Sequence, residues 1–353
     1  SIADIANIKD VTGSIHVNAG GVTNATSIVG ALAAGGAAGV AGSVSVAVNR
    51  SDFEASIGPD VIIDSPEADV TVDGDLEADA RTVIASFAAG TAGVGVSVSV
   101  AVNRPTMKAY IGTEPVPKDA DDRLDENEAL EGTVTGSVKA HDVTVESKLN
   151  GETNVFGVNF GGGLAGVNGA AALGFNNAEN MASIKGTNVQ ASGDITVNAG
   201  MKGDTTVSST AVTAGFVAEG ANGGVSRIES INLALIDTRG GDVTADGNIT
   251  VSAAGYEQDQ PYDTEALTTV IAGTAGAWAE AHNFAVALNE SRNVAAAGGA
   301  AGSLKAEGDL DVKADGRTKA YGIVINGSAG VVSANVAVAD AELKSRQTAE
   351  IFG

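Results

Sequence analysis

Cysteine is absent from the 353 residues, so neither disulfides nor thiolate metal sites hold this chain together. Proline occurs six times and aromatic residues make up 4%. A core must then come from Val, Ile, Leu and Ala, with Gly where the chain turns or backbones approach closely. No Pro-rich or Ser-rich linker divides the sequence, which predicts one continuous array over residues 1–353 rather than two domains. No run of 18 apolar residues is free of charges and glycines, which argues against a transmembrane helix in this region. Basic residues are also scarce: 20 Lys and Arg face 44 Asp and Glu, a formal charge of −24. That charge repels phosphate backbones and anionic lipid heads, so nucleic acid is not an expected partner. It also discourages edge-to-edge association of β-rich chains. No signal peptide opens the chain, and Ser1 reads as a point inside a repeat, the expectation for a fragment or mature segment.

What the chain has in excess is glycine, 47 residues, about twice the usual share, and internal repetition. The octapeptide Ser-Val-Ser-Val-Ala-Val-Asn-Arg stands at Ser43 to Arg50 and again at Ser97 to Arg104. Around it the chain resolves into about six units of 52–67 residues, the signature of stacked supersecondary modules. One box is Gly193 to Ala199, with relatives at Gly13 to Ala19, Gly74 to Ala80, His141 to Ser147, Gly247 to Ala253 and Gly308 to Ala314. In it Ile195, Val197 and Ala199 alternate with Thr196 and Asn198, the pattern of a strand with one face buried. A second box, Ala-x-Ile-Gly at Ala55 to Gly58 and Ala109 to Gly112, recurs in diverged form to Ala349–Ile351. Before it, Val94, Val96, Val98, Val100 and Val102 share one face of a strand. These periods predict an all-β fold, a right-handed parallel β-helix or β-solenoid, with regular, polar, acidic sides. Two polar insertions, 114–132 and 255–265, interrupt the repeat and are expected to project as loops.

Gly-Asp-x-Thr-Val-x-Ala, the Gly/Ala-rich run ending in Ser-Val-Ser-Val-Ala-Val-Asn, and Ala-Tyr-Ile-Gly at Ala109 to Gly112 together resemble the repeats of bacterial leukotoxin-type filamentous adhesins, relatives of filamentous haemagglutinin. The resemblance covers nearly all of the chain. It implies a large exoprotein sent out by type V secretion, folded as a β-helix and extracellular or displayed on the bacterial cell surface. A host-cell or bacterial surface receptor is then the expected partner, with self-association along the fibre a further possibility.

Candidate chemistry is sparse. Asn49, Asn103, Asn176 and Asn289 follow the alternating strand and are read as an internal or turn-capping ladder. Gly161, Gly163 and Gly166 match a dinucleotide fingerprint, but the β-like stretch after them is not the helix that such a site needs. Asp119, Asp121 and Asp125 offer oxygen ligands that suit Ca²⁺, but without the spacing of a helix-loop-helix calcium site the bland reading is a solvated charged loop. His16, His141 and His282 share no repeat position and read as surface or turn residues. No cofactor and no enzymatic activity are expected. The rival classes are a β-helical polysaccharide-acting enzyme, which would need a localised carboxylate cluster, and an outer-membrane β-barrel, which should show aromatic girdles. Partner-binding candidates are Tyr256 and Tyr262 in the second insertion, and Trp278. Trp278 follows Ala272 to Gly276, read as the counterpart of Ala89 to Gly93, where it serves as an exposed anchor or fills a gap in the core.

Overall fold

A computed structural model describes residues 6–115, 136–254, 263–300 and 302–353. Among the described residues the regular structure is all strand, as alternating patterns rich in β-branched residues require. Each repeat makes one rung. The first holds β1 (Asn7–Lys9), β2 (Ser14–Ala34) and β3 (Ala38–Ile57), and the second β4 (Ile62–Asp64), β5 (Asp69–Ala89) and β6 (Ala92–Gly112). The third holds β7 (Ser137–Ala140), β8 (Val143–Gly162), β9 (Ala165–Asn176) and β10 (Glu179–Lys185), and the fourth β11 (Asn188–Ala191), β12 (Ile195–Ala214) and β13 (Val217–Asp237). The fifth holds β14 (Val243–Ala245), β15 (Ile249–Ala254), β16 (Asp263–Ala275) and β17 (Trp278–Gly298). The sixth holds β18 (Leu304–Ala306), β19 (Leu310–Ala314), β20 (Arg317–Ala329), β21 (Val332–Leu343) and β22 (Arg346–Phe352).

Equivalent strands of successive rungs pair in parallel and build three sheets. A narrow base sheet stacks β1, β4, β7, β11, β14 and β18. A wide front sheet runs from β2 through β5, β8 and β12 to β16 and β20, with β15 and β19 beside them. A wide back sheet runs from β3 through β6, β9, β13 and β17 to β21. Front and back strands meet at a short turn, here called the crest, and fold onto one another face to face. At about 3.3 Å per residue a 20-residue strand spans about 66 Å, whereas six rungs about 4.8 Å apart rise only about 24 Å between first and last. These residues therefore form a plate, broader than it is tall.

Register carries both boxes through the stack. Val17, Val72, Val145, Val197, Val251 and Val312 are successive partners on the front sheet. Ile57, Ile111, Ile184, Ile236, Ala297 and Ile351 are successive equivalents on the back sheet. Where the base sheet closes the rung, these positions, except the exposed Ile351 of the last rung, join Ile63, Val70 and Val143 in one aliphatic core. Further along, Leu76, Met107, Leu149 and Met201 form a second cluster.

Three sequence expectations need correction. In the second rung the first box is Ala68 to Gly74, because Val17 pairs with Val72. Gly74 to Ala80 lies six residues further along β5, and its alternation with Asp and Glu imitates the box. The small-residue run near Trp278 is offset by three, since Trp278 is stacked in the column of Ala92, Ala165 and Val217; Gly and Ala are too alike to fix a register. Insertion 255–265 ends early: Asp263, Thr264 and Glu265 belong to β16, where Thr264 pairs with Gly203.

Candidate functional site

The half of each rung nearest the crest inverts the usual partition. Along β6, Ser97, Ser99, Ala101 and Asn103 are buried between the sheets while Val94 to Val102 face outward. Along β5, Thr82, Ser86 and Ala88 point inward while Val83, Ala85 and Phe87 point outward. The expectation of polar, acidic sides fails here. Alternation tells which residues share a face, and the inward face has been given to the smaller and more polar set.

Hydrogen bonds satisfy much of that interior, since a buried polar group left alone is costly, although among the described residues the Thr82, Ser97, Thr213 and Thr274 hydroxyls and the Asn283 amide find no protein partner. Ser43 and Ser86 hydroxyls meet across the sheets at 2.5 Å, and the Ser209 hydroxyl bonds the Asn222 amide. The asparagine ladder is internal. The Asn103 amide donates to the carbonyls of Ala78 and Glu152 at 2.6 and 3.0 Å, and Asn49, Asn176 and Asn289 make the equivalent bonds. Each thus ties its back strand to two rungs of the front sheet. A separate run, Asn180, Asn232 and Asn293, stacks in register, with the Asn180 amide donating to Asn232 at 2.8 Å.

Outside, the apolar side chains form columns. Val44, Val98, Ala171, Gly223, Phe284 and Val338 follow one another on the back sheet. Leu32, Phe87, Phe160 and Val212 do so on the front, with the Phe87 and Phe160 rings 6.2 Å apart. On the back sheet Gly169, Ala171, Ala221 and Gly223 floor an open trough of about 490 Å³ between Val96 and Phe284. The Phe284 ring lies over Gly223, in the space that a side chain there would fill. The crest continues the surface: Leu164 is 65%, Phe216 67%, Trp278 54% and Val331 90% exposed. Trp278 therefore takes the exposed alternative offered by its sequence, not the gap-filling one.

Charge stops at a line. On the front sheet Asp79, Glu152, Asp204, Glu265 and Lys319 stack in register, and burial, then Glu152 and Glu77, push the Asp79 carboxyl above its ordinary value. On the back sheet Arg50 and Arg104 bound the apolar half, and in later rungs Arg227 bridges Glu229 at 2.6 Å and Glu290 at 3.0 Å. The Arg227 hydrogen bond holds Glu290 below the usual carboxylate range. Crestward of those lines the described strands and turns carry only Arg81, Glu219, Glu280, His282 and Asp340 as acidic or basic residues, with Glu342 level with Arg227.

Elsewhere, titratable groups serve the stack. Asp69, His141 and Asp142 bring ligand atoms within 4.8 Å of one another, but their carboxylates cap the rung above. Asp142 N–H donates to Asp69, Asp194 N–H to Asp142, and Asn248 N–H to Asp194, at 3.3, 2.8 and 2.7 Å. His141, like His16 beside Asp73 and His282 beside Glu280, lies on the surface. Gly161, Gly163 and Gly166 run from strand through turn into β9, and a methyl group on Gly163 would collide with the Gly90 carbonyl one rung away. Close stacking of crests accounts for that glycine. Asp119, Asp121, Asp125, Tyr256 and Tyr262 lie outside the described residues.

No family model, curated protein or solved structure matches this chain. Among the described residues no helix is long and apolar enough to cross a membrane. The outward apolar half, missed as such in the sequence, was visible there as long stretches without charge, 26–49 and 154–176 among them.

Proposed function

We propose that this chain is a segment of a right-handed β-solenoid shaft in a secreted or surface-displayed filamentous adhesin of the leukotoxin type, acting by binding and spacing rather than by catalysis. The observation that carries the reading is the one-rung-per-repeat register, in which every described strand pairs in parallel with its own equivalent. Such a stack extends by adding repeats, which suits a shaft. Its handedness follows from the crossover rule for parallel strands. The carboxylates that a β-helical enzyme would recruit for acid and base work are engaged along the stack, as at Asp142 and Asp194. Parallel pairing also separates this fold from outer-membrane barrels, whose strands are antiparallel.

The adhesive contact is assigned to the second insertion, where Tyr256 and Tyr262 bring the residue type enriched at binding hot spots. Purified chain should adhere to host or bacterial cells, and the double change Tyr256→Ala and Tyr262→Ala should reduce adhesion while leaving the melting temperature unchanged. Undiminished adhesion removes the loop assignment. Reproducible cleavage of a polysaccharide by the purified chain removes the non-enzymatic reading.

A further inference from the structure

We propose that the charge-poor half of the plate is a wedge that docks, crest first, into a bilayer of zwitterionic lipid. Three surfaces meet there and all three are mainly apolar: the outer front face around Phe87 and Phe160, the outer back face around Val44 and Val98, and the crest with Leu164, Phe216, Trp278 and Val331. Arg81, Glu219, Glu280, His282 and Asp340 are the charged exceptions among the described residues. A second copy laid flat against one face would leave the other face and the crest in water. Lipid covers all of them at once, and this decides between the two occupants.

The backbone at the crest is suited to the same medium. A turn exposed to hydrocarbon is excluded unless its N–H and C=O groups are paired within the protein. Here successive crests bond to one another: Ala165 N–H donates to Thr91, Val217 to Leu164, Trp278 to Phe216 and Val332 to Ala277, at 2.9–3.0 Å. On the other side of each turn Gly90 N–H donates to Gly162, Gly163 to Ala214, Gly215 to Ala275 and Gly276 to Ala329, at 2.9–3.2 Å. Glycine permits the approach that makes these bonds. Many of the polar side chains that remain, such as Ser86, Asn103 and Asn222, turn inward and bond between the sheets, while Thr206, Ser208 and Thr210 stay on the outer front face. An ordinary solvent-facing turn carries Asn, Asp, Ser or Pro; these crests carry Gly, Ala, Leu, Phe and Val, and a single threonine, Thr91, whose hydroxyl donates to the Gly36 carbonyl.

Dimension and charge fix the kind of lipid. From Val40 to Val48, or Val94 to Val102, the apolar strand measures about 27 Å, close to the roughly 30 Å hydrocarbon core. Most of the net negative charge of the described residues lies outside the wedge, on the half that would remain at the membrane surface. Anionic headgroups would repel it, so neutral bilayers are the preferred target. The inference is independent of the receptor reading: failure of lipid docking leaves the tyrosine-loop adhesion test untouched.

Trp278, the only tryptophan, sits on the crest and reports the event. Phosphatidylcholine vesicles added to the purified chain should shift its emission to the blue, brominated acyl chains should quench it, and the protein should float with the vesicles. Leu164→Asp with Phe216→Asp should weaken binding about tenfold or more, the scale of placing charge in hydrocarbon, with an unchanged circular dichroism spectrum because both side chains face solvent. Thr196→Asp, near the base, should bind vesicles as well as the parent. Adding phosphatidylserine should weaken binding, most at low salt. The proposal is overturned by unshifted emission without flotation, by tighter binding to the anionic vesicles, or by undiminished binding of the crest variant. Concentration-dependent self-association in sedimentation velocity without lipid uptake overturns it too, assigning the apolar faces to a second copy.

Discussion

At one end of β5, Val70, Val72 and Leu76 are buried while Asp73, Asp75 and Glu77 face out; near its other end, Thr82 and Ser86 are buried while Val83 and Phe87 face out. The strand never breaks its alternation between the two regions. What changes is which set of residues the interior accepts. Near the base, three sheets enclose a wider space that Val and Ile side chains fill, and hydrophobic burial holds it together. Near the crest, two sheets fold directly on each other, and mostly Ser, Thr, Ala, Gly and Asn occupy the gap, with Ile84, Val155, Val207 and Val270 as the larger aliphatic members. There the sheets are tied by cross-sheet hydrogen bonds such as those of Asn103. The comparison separates two causes of strand stability that a uniform core would confound.

The largest predicted effect tests the base. Val197 is wholly buried in the aliphatic cluster, so Val197→Asp should cost about 3–5 kcal/mol or prevent folding, as an unpaired buried charge does. Thr196→Asp, one residue away on the outward face, should cost under about 1 kcal/mol. Chemical denaturation of the pair measures the contrast, and equal losses would erase the face assignment. Next comes the crestward interior: Asn103→Ala removes two cross-sheet bonds and leaves carbonyls of Ala78 and Glu152 without that donor, an expected loss of about 1–3 kcal/mol. Smaller again is Val96→Thr on the outward crest face. A valine in a conventional core would lose more than 1 kcal/mol by that change, but at this exposed position it should cost no more than about 0.5 kcal/mol. A loss as large as that of Asn103→Ala would mean that the valine face is covered in solution.

Much of the base half could be read from the sequence because its boxes combine periodicity with distinctive residues. Ile195, Val197 and Ala199 are buried as the alternation requires, and the Ala-x-Ile box stacks from Ile57 to Ile351. Small degenerate runs were harder. Gly74 to Ala80 passed for a box because Leu76 and Ala78 also point inward, and the Gly/Ala run before Trp278 admitted a three-residue slip. The apolar faces escaped for a different reason. Periodicity is symmetric between a strand's two sides, and valine is ordinarily the inward residue, so Ser-Val-Ser-Val gives no internal sign of its inversion. The decisive clue was compositional: the interior partners are Ser and Asn, each able to reach a carbonyl on the facing sheet.

The smallest expected effect concerns the charged border between the two halves, where two carboxylates are shifted in opposite directions. Glu290 accepts from Arg227 and its carboxyl is held below the usual range. Its contribution is therefore complete above the unfolded value for Glu and disappears as pH falls through the depressed folded value. Asp79 is pushed the other way by burial and by the acids stacked beside it. In the folded state it resists ionisation, so its penalty exists above the raised value and is relieved as pH falls. Glu290→Gln should lower stability at neutral pH and Asp79→Asn should raise it, each by about a few tenths of a kcal/mol, the scale of exposed charge pairs. Below about pH 3, where all of these carboxyls carry protons in the unfolded chain, the Asp79→Asn difference should vanish and that of Glu290→Gln should shrink. Thermal melts of both variants across that range provide the measurement. If Asp79→Asn were destabilising at neutral pH, the column of Asp79, Glu152, Asp204 and Glu265 would have to be an attractive one, which stacked like charges become only when a cation sits between them.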